Sequence, residues 1–304
     1  MIFEVLSRLR RDGTFLFYTM PEFYNYNGKF FLQGDNFISP DSRAFRYGDG
    51  LFETMVVKHG VIRLSSLHFE RLFEGLDILK FDMPKFFETS VLRKEVLALC
   101  KKNNHTNARV RLALFRGEGG LYDPENLYPN YVIQSWALPE HVLEISQKGL
   151  VIDVYPNAQK PMDIFANIKS NNYLPYVMAS LFAKENEWND CLVLNAAGKI
   201  ADSTIANIFL LIDNVLYTPP LSEGCVAGVM RRFLLENQDL TGFKITEKPL
   251  MIEELGQADE VFLTNATYGI RWVKQFRDKE FENTFTKTIY HKLMKAIDSS
   301  QLSA

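Results

Sequence analysis

Histidine and cysteine are scarce in this chain of 304 residues, with five of the first and three of the second. Cys100, Cys191 and Cys225 are far apart, odd in number and without CxxC spacing. That excludes a disulfide framework and fits reduced, buried thiols in a cytoplasmic protein. No two histidines stand at metal-ligand spacing, so no metal site is expected. Charge of one sign is lacking too: the formal net charge is −3, which leaves no footprint for nucleic acid. No apolar run approaches the roughly 20 residues of a membrane span, so no membrane partner is expected. Internal repeats and low-complexity tracts are absent. What the chain does have is apolar mass, 47% of its residues with 24 Phe, enough for a sizeable core and for two domains.

Residues 1–19 carry Arg8, Arg10 and Arg11 among apolar residues and no small-residue cleavage site. A secretory signal fits poorly, and a loosely attached extension before a domain start at Met20 is expected. Asn27-Gly28 between apolar segments signals a hairpin. Arg43 to Gly50 reads as a Gly-punctuated loop, and Leu51 to Val57 as a strand turned back at His59-Gly60. Ser65 or Ser66 is expected to cap a helix on which Phe69, Leu72, Phe73, Leu76 and Leu79 repeat at helical spacing. A second helix is expected over 84–102. The alternation of 108–115 predicts a strand with Arg109 and Arg111 on one face, followed by a flexible loop at Gly117, Gly119 and Gly120, and another strand over 131–137. Pro139 and a run of charges mark 138–149 as a linker between a smaller domain (20–137) and a larger one (150–304). In the latter, strands are expected at 191–195, 205–212, 214–218, 243–247 and 260–264. Helices are expected from Tyr173 and from about Val229. Strands and helices without strict βαβ alternation make the fold class α+β.

The chemistry gathers around Asn167-Ile168-Lys169-Ser170-Asn171-Asn172-Tyr173-Leu174, a strand or loop end running into a helix. A lone Lys at a helix start is ordinarily a surface residue. Buried, its pKa falls and the amine can form a Schiff base with an aldehyde. Four other segments read together with it. The helix after Gly228 offers first-turn N–H groups to an anion. Thr264-Asn265-Ala266-Thr267 ends a strand with small polar residues, as ordinary turns also do. Arg71 sits among Phe69, Leu72 and Phe73 and needs an anionic partner, for which Glu70 and Glu74 are the plain candidates. Asp202 stands at a strand edge among small residues, where turn aspartates are common.

The order Lys169, Asp202 to Asn207, Gly228 to Arg231 and Asn265 to Thr267 spans most of the chain. Arg43 to Gly50 and His68-Phe69-Glu70-Arg71-Leu72 precede it. In that order the chain resembles the class IV aminotransferases, the fold-type-IV pyridoxal phosphate enzymes that include branched-chain and D-amino acid aminotransferases and aminodeoxychorismate lyase. The resemblance implies a two-domain enzyme with pyridoxal 5′-phosphate (PLP) between the domains, and a homodimer. It places the cofactor aldehyde on Lys169. It gives the phosphate to Arg71, the backbone of Val229 and Met230, and Ala266 and Thr267. It sets Asp202 against the pyridine nitrogen, where the family usually has Glu. Met230 replaces a Thr seen in many transaminases, so the phosphate there is expected to rely on backbone amides. Arg46, Arg109, Arg116 and Tyr173 are candidate substrate holders, and Tyr122 a candidate for the pocket lining. Thr218-Pro219-Pro220-Leu221, Gly228 to Arg231, Asn265-Ala266 and the Arg116-Gly117-Glu118-Gly119-Gly120 loop are most similar to aminodeoxychorismate lyase, which makes 4-aminobenzoate and pyruvate in folate biosynthesis. Leu121 stands where lyases often carry a second Arg. Asn172-Tyr173-Leu174 resembles branched-chain aminotransferases, which leaves a branched-chain or D-amino acid aminotransferase as the alternative, and a cofactor-binding relative with little turnover as a third. In each case the substrate is a small molecule bearing an amino group.

Overall fold

Asn27 and Gly28 both adopt positive φ, 49° and 81°, the backbone of a two-residue hairpin turn that Gly adopts without strain. The turn joins β1 (Phe23–Tyr26) to β2 (Lys29–Leu32). The computed structural model describes residues 23–35 and 39–300; the expected extension at 1–19 lies outside them. Next come α1 (Arg43–Tyr47), β3 (Gly50–Lys58), β4 (Val61–Ile62), α2 (Ser65–Ile78), α3 (Thr89–Lys102), β5 (Asn107–Arg116) and β6 (Pro129–Ala137). The strands form one sheet in the order β2-β1-β6-β5-β3-β4.

Alternation decides what this sheet does. On β5, Ala108, Val110, Leu112 and Leu114 are fully buried and pack with Phe69, Leu72 and Leu76 of α2 and Leu92, Val96 and Leu99 of α3. Arg109 and Arg111, of opposite parity, are left on the other face, half-buried.

The chain continues through β7 (Leu150–Lys160), α4 (Leu174–Glu185), β8 (Asp190–Asn195), β9 (Ile200–Ser203), β10 (Asn207–Ile212), β11 (Val215–Thr218), α5 (Val229–Glu236), β12 (Lys244–Glu247), β13 (Glu260–Asn265), β14 (Gly269–Phe276), β15 (Lys279–Glu280) and α6 (Thr284–Ser300). These strands make a nine-stranded mixed sheet in the order β12-β11-β10-β13-β14-β7-β8-β9, with β15 beside β14. α5 and α6 pack over one part of it through Leu234, Ile289, Leu293 and Ile297, and α4 over another through Ala179 and Ala183. The carboxylate of Glu260 accepts from the Phe285 and Thr286 amides and the Thr286 hydroxyl, capping α6 from the neighbouring strand.

Several sequence expectations change in detail. The Arg43 to Gly50 loop contains the helix α1. Neither Ser65 nor Ser66 caps α2: Leu64 is the N-cap, at φ 51°, and no side chain caps the helix. The second helix begins at Thr89, because Pro84 to Phe87 close a separate turn. The Gly loop is anchored, since the Arg43 guanidinium donates to the carbonyls of Gly119, Gly120 and Leu121.

Candidate active site

Residues 164–168 form turns, with the Ala166 amide donating to Asp163 O and that of Ile168 to Phe165 O. Beyond them the chain is stitched to β3. The Phe52 amide donates to Lys169 O at 2.9 Å and the Asn171 amide to Gly50 O at 2.9 Å. Lys169 thus arrives from the second sheet but is held by the first, and it opens onto a cavity of about 520 Å³ between them. Its Nζ donates to the Tyr173 hydroxyl at 2.8 Å and lies 4.6 Å from the centre of the Phe52 ring. Burial pulls its pKa down to about 7. The charges of Arg71 and Arg111 act in the same direction, and Glu53 and Asp202 oppose them. An amine with a large neutral fraction near pH 7 is what condensation with an aldehyde needs.

A pH dependence follows. Capture of PLP by the apo-protein is expected to speed up about tenfold per pH unit below pH 7 and to level off above it. A lysine of ordinary pKa would keep accelerating towards pH 10. Stopped-flow absorbance of PLP mixed with apo-protein measures the profile.

Arg71 lines the same cavity, but its partner is neither Glu70 nor Glu74. Glu53 on β3 accepts from Arg71 Nε at 2.7 Å and from its NH2 at 2.5 Å, and the remaining arm donates to Ala227 O at 2.9 Å. His68, three residues before Arg71 on the same face of α2, donates from Nδ1 to Glu53 at 2.6 Å. Burial pushes the Glu53 carboxyl up, yet the charges and hydrogen bonds of Arg71 and His68 outweigh it and hold the pKa down to about 2. Burial pushes His68 down. Glu70 pairs instead with Arg232.

The start of α5 forms another wall. Its N-cap Gly228 supplies no side chain to the first-turn amides. A Cβ there would meet Asn207 Oδ1 at 1.9 Å, so only glycine allows this approach. The Met230 side chain is buried against Phe209, Leu234 and Phe262, which leaves its backbone for a ligand. After β13, the side-chain Oδ1 of Asn265 accepts from the backbone amides of Thr267 and Tyr268 and sets the turn that carries Ala266 and Thr267. The Thr264 hydroxyl at the same wall is buried and has no hydrogen-bond partner among the described residues. Asp202 is buried and accepts from Lys160 Nζ at 3.1 Å, the Val226 amide at 3.0 Å and the Tyr176 hydroxyl at 3.1 and 3.2 Å.

These groups fit a phosphorylated aldehyde. A sheltered amine faces a set of donors made of an arginine, first-turn amides and an orphaned hydroxyl, with a buried carboxylate on another wall.

Of the residues singled out from the sequence, Lys169, Arg71, Asp202, Val229, Met230, Ala266, Thr267, Arg109 and Tyr173 line one cavity. Arg46 and Arg116 do not. Arg46 sits on the solvent side of α1 against Asp41. Arg116 is spent inside the protein, bonded to Asp49 and Leu79 O and lying over the Phe81 ring. Tyr122 is 91% exposed and leans on Tyr47, away from the cavity. Arg111, Glu53, His68, Lys160 and Tyr176 complete the site, and the sequence alone gives none of them a role. Arg111 lies 3.5 Å from the centre of the Phe52 ring, donates to Asn171 Oδ1 at 3.3 Å and is pushed down to about 10 by burial.

The family described as amino-transferase class IV matches residues 50–276. An aminodeoxychorismate lyase of Vibrio harveyi is 30% identical over 230 residues, 75% of this chain and 83% of its own length. A putative branched-chain-amino-acid aminotransferase of Methanocaldococcus jannaschii is 28% identical over 270 residues, 88% of this chain and 92% of its own. Among solved structures, a branched-chain aminotransferase of Thermoproteus uzoniensis with norvaline superposes with a TM-score of 0.82 at 21% identity, covering 92% of this chain and 95% of that one.

Proposed function

We propose, for a chain that belongs to the class IV aminotransferase family and is therefore a PLP-dependent enzyme of the α+β, fold-type-IV class, that the reaction is cleavage of 4-amino-4-deoxychorismate to 4-aminobenzoate and pyruvate. One observation carries this reading. Arg109 and Arg111 stand two residues apart on one face of β5, both on the cavity wall, with Thr54 and Asn171 nearby. A substrate with two carboxylates wants two fixed cations, whereas a branched aliphatic side chain wants an apolar wall. The 30% identity to the Vibrio lyase supports the same reading. Asn172-Tyr173-Leu174 and the Methanocaldococcus relative support the second reading, a branched-chain aminotransferase.

Bound PLP supplies an aldehyde for amines and a ring that takes up an electron pair. The chain's residues do the rest. Lys169 would hold the aldehyde, and its freed amine would take the proton from the substrate's amine-bearing carbon. The electron pair of that C–H bond moves into the substrate ring as the C–O bond to the enolpyruvyl group breaks, and a proton delivered to the departing group gives pyruvate. Tyr173 orients the Lys169 amine through its hydroxyl. Arg71, the amides of Val229 and Met230, and Ala266 and Thr267 hold the phosphate. Asp202 keeps the ring nitrogen protonated. Arg109 and Arg111 hold the carboxylates.

In this reading the domains run over 20–137 and 150–304, joined by 138–149, and two copies pair in the cytoplasm. Support for pairing is a stripe on α4 at helical spacing: Leu174, Val177, Met178 and Leu181 are 43 to 70% exposed. The free, buried thiols support the compartment.

The test is an assay of reconstituted enzyme for pyruvate from 4-amino-4-deoxychorismate, run beside amino transfer from D-alanine, leucine or glutamate to a keto acid. Pyruvate release is expected, and Arg109→Leu and Arg111→Leu should each lower kcat/KM by about 10- to 100-fold. Transfer that depends on a keto acid, with no pyruvate from aminodeoxychorismate, overturns the lyase.

A further inference from the structure

Asp202 reaches its place with one methylene fewer than the Glu usual in the family, and its surroundings show what steadies it. Lys160 is the last residue of β7 and is buried. Its ammonium is 3.1 Å from Asp202 Oδ2, and the same oxygen also takes the Val226 amide at 3.0 Å and the Tyr176 hydroxyl at 3.1 Å. Oδ1 receives only the Tyr176 hydroxyl, at 3.2 Å. A carboxylate oxygen has about two lone-pair sites. The one Tyr176 hydrogen is shared between the two oxygens, so the Lys160 ammonium and the Val226 amide fill Oδ2 and Oδ1 keeps capacity.

We propose that Lys160 is the positioning residue for Asp202: its ammonium ties down Oδ2 as the counter-ion of the buried carboxylate, so that Oδ1 is the oxygen that meets the proton on the cofactor's ring nitrogen. The inference rests on the family's cofactor site and is independent of whether the reaction is a lyase or a transferase. The charged and titratable groups around Asp202 are Lys160 from β7, Tyr176 from α4, Lys169 and Tyr173 from the segment before α4, and Cys225 from the turn before α5. Of these, Lys160 alone is a cation bonded to the carboxylate. Removing it leaves a buried negative charge without its counter-ion, which raises the affinity of Asp202 for a proton.

Two readouts test this without any assay of turnover. Carbon-13 NMR of apo-protein labelled at the aspartate carboxyl carbons follows Asp202, identified by its loss in Asp202→Asn. Absorbance titration with PLP gives the dissociation constant. In Lys160→Met, Asp202 is expected to take up its proton at least about one pH unit higher, with the PLP dissociation constant raised about tenfold. Lys160→Arg should restore both, because it returns a cation to Oδ2. Should Lys160→Met not fold, Lys160→Gln, which keeps a donor without the charge, is expected to give the same shifts. A folded Lys160→Met or Lys160→Gln protein with the wild-type Asp202 titration and PLP affinity overturns the proposal. So does a folded Lys160→Arg protein that recovers neither quantity. PLP binding absent from the wild-type protein removes the cofactor site, and this proposal with it.

Discussion

Lys169→Ala is expected to lower turnover by about 10⁴-fold and to end covalent capture of PLP. Both losses have one source. In the proposed reading the amine serves first as the group that condenses with the aldehyde and then as the base, and among the described residues no other lysine lines the cavity. Lys160 is buried behind Asp202, where its ammonium is engaged by that carboxylate, and it does not line the cavity. Lys169 is desolvated beside Arg71 and Arg111, which brings its pKa to about 7. Borohydride reduction followed by peptide mass spectrometry checks the claim. A permanent phosphopyridoxyl adduct should appear on Lys169 in the wild type and on no peptide of the Ala variant. An adduct on Lys160 or another lysine of the wild-type protein would move the chemistry elsewhere.

Glu53→Ala is expected to cost about 3 to 5 kcal/mol of stability. The carboxylate is 1% exposed and lies between Arg71 and His68, so its loss leaves a buried cation and a buried imidazole without their acceptor. Cofactor affinity should fall as well, since Glu53 fixes two arms of the Arg71 fork. The pH dependence has a definite sign. The folded pKa of about 2 lies below the ordinary 4.5. A depressed carboxylate contributes stability above its unfolded pKa and loses it as pH falls through the folded one. The contribution, about 3 kcal/mol, is therefore full above pH 4.5 and fades between there and pH 2. In Glu53→Gln that window should contribute nothing. Urea denaturation of apo-protein at pH 7 and at points between pH 5 and 3 measures both effects. A Glu53→Ala protein within 1 kcal/mol of wild type at pH 7 would show that Arg71 is held by something else.

The parts of the site that were legible in the sequence are those whose chemistry is local. Lys169 stands at a turn-to-helix junction, Gly228 starts a helix, and Asn265 to Thr267 end a strand, and each signal lies within a few residues. The alternation of β5 was legible as well, and applied strictly it would have excluded Arg116. Counting by twos from Val110 places residue 116 on the core face with Leu112 and Leu114, where the structure has it bonded to Asp49. What spacing does not carry is pairing between elements. Glu53 meets Arg71 because β3 packs beneath α2, and Lys160 meets Asp202 because β7 and β9 flank β8. In the sequence Glu53 and Lys160 are unremarkable charges. The sequence expectations hold no strand over β7 or β14 and no helix over α6. For α6 the spacing of Ile289, Leu293 and Ile297 was available as a signal.

The attachment of Lys169 to β3 sets two lengths by different means. Its peptide oxygen and the amide of Asn171 are registered against Phe52 and Gly50, in the sheet that also carries Arg109 and Arg111. The span from the reactive nitrogen to those guanidinium groups is thus ruled off by one rigid ladder. The span to the α5 amides and to Asp202 instead bridges two bodies. Any sliding of one sheet past the other stretches or shortens only the second span. In the proposed reading such motion would retune the grip on the vitamin-derived cofactor while the gauge for the incoming acid stays constant.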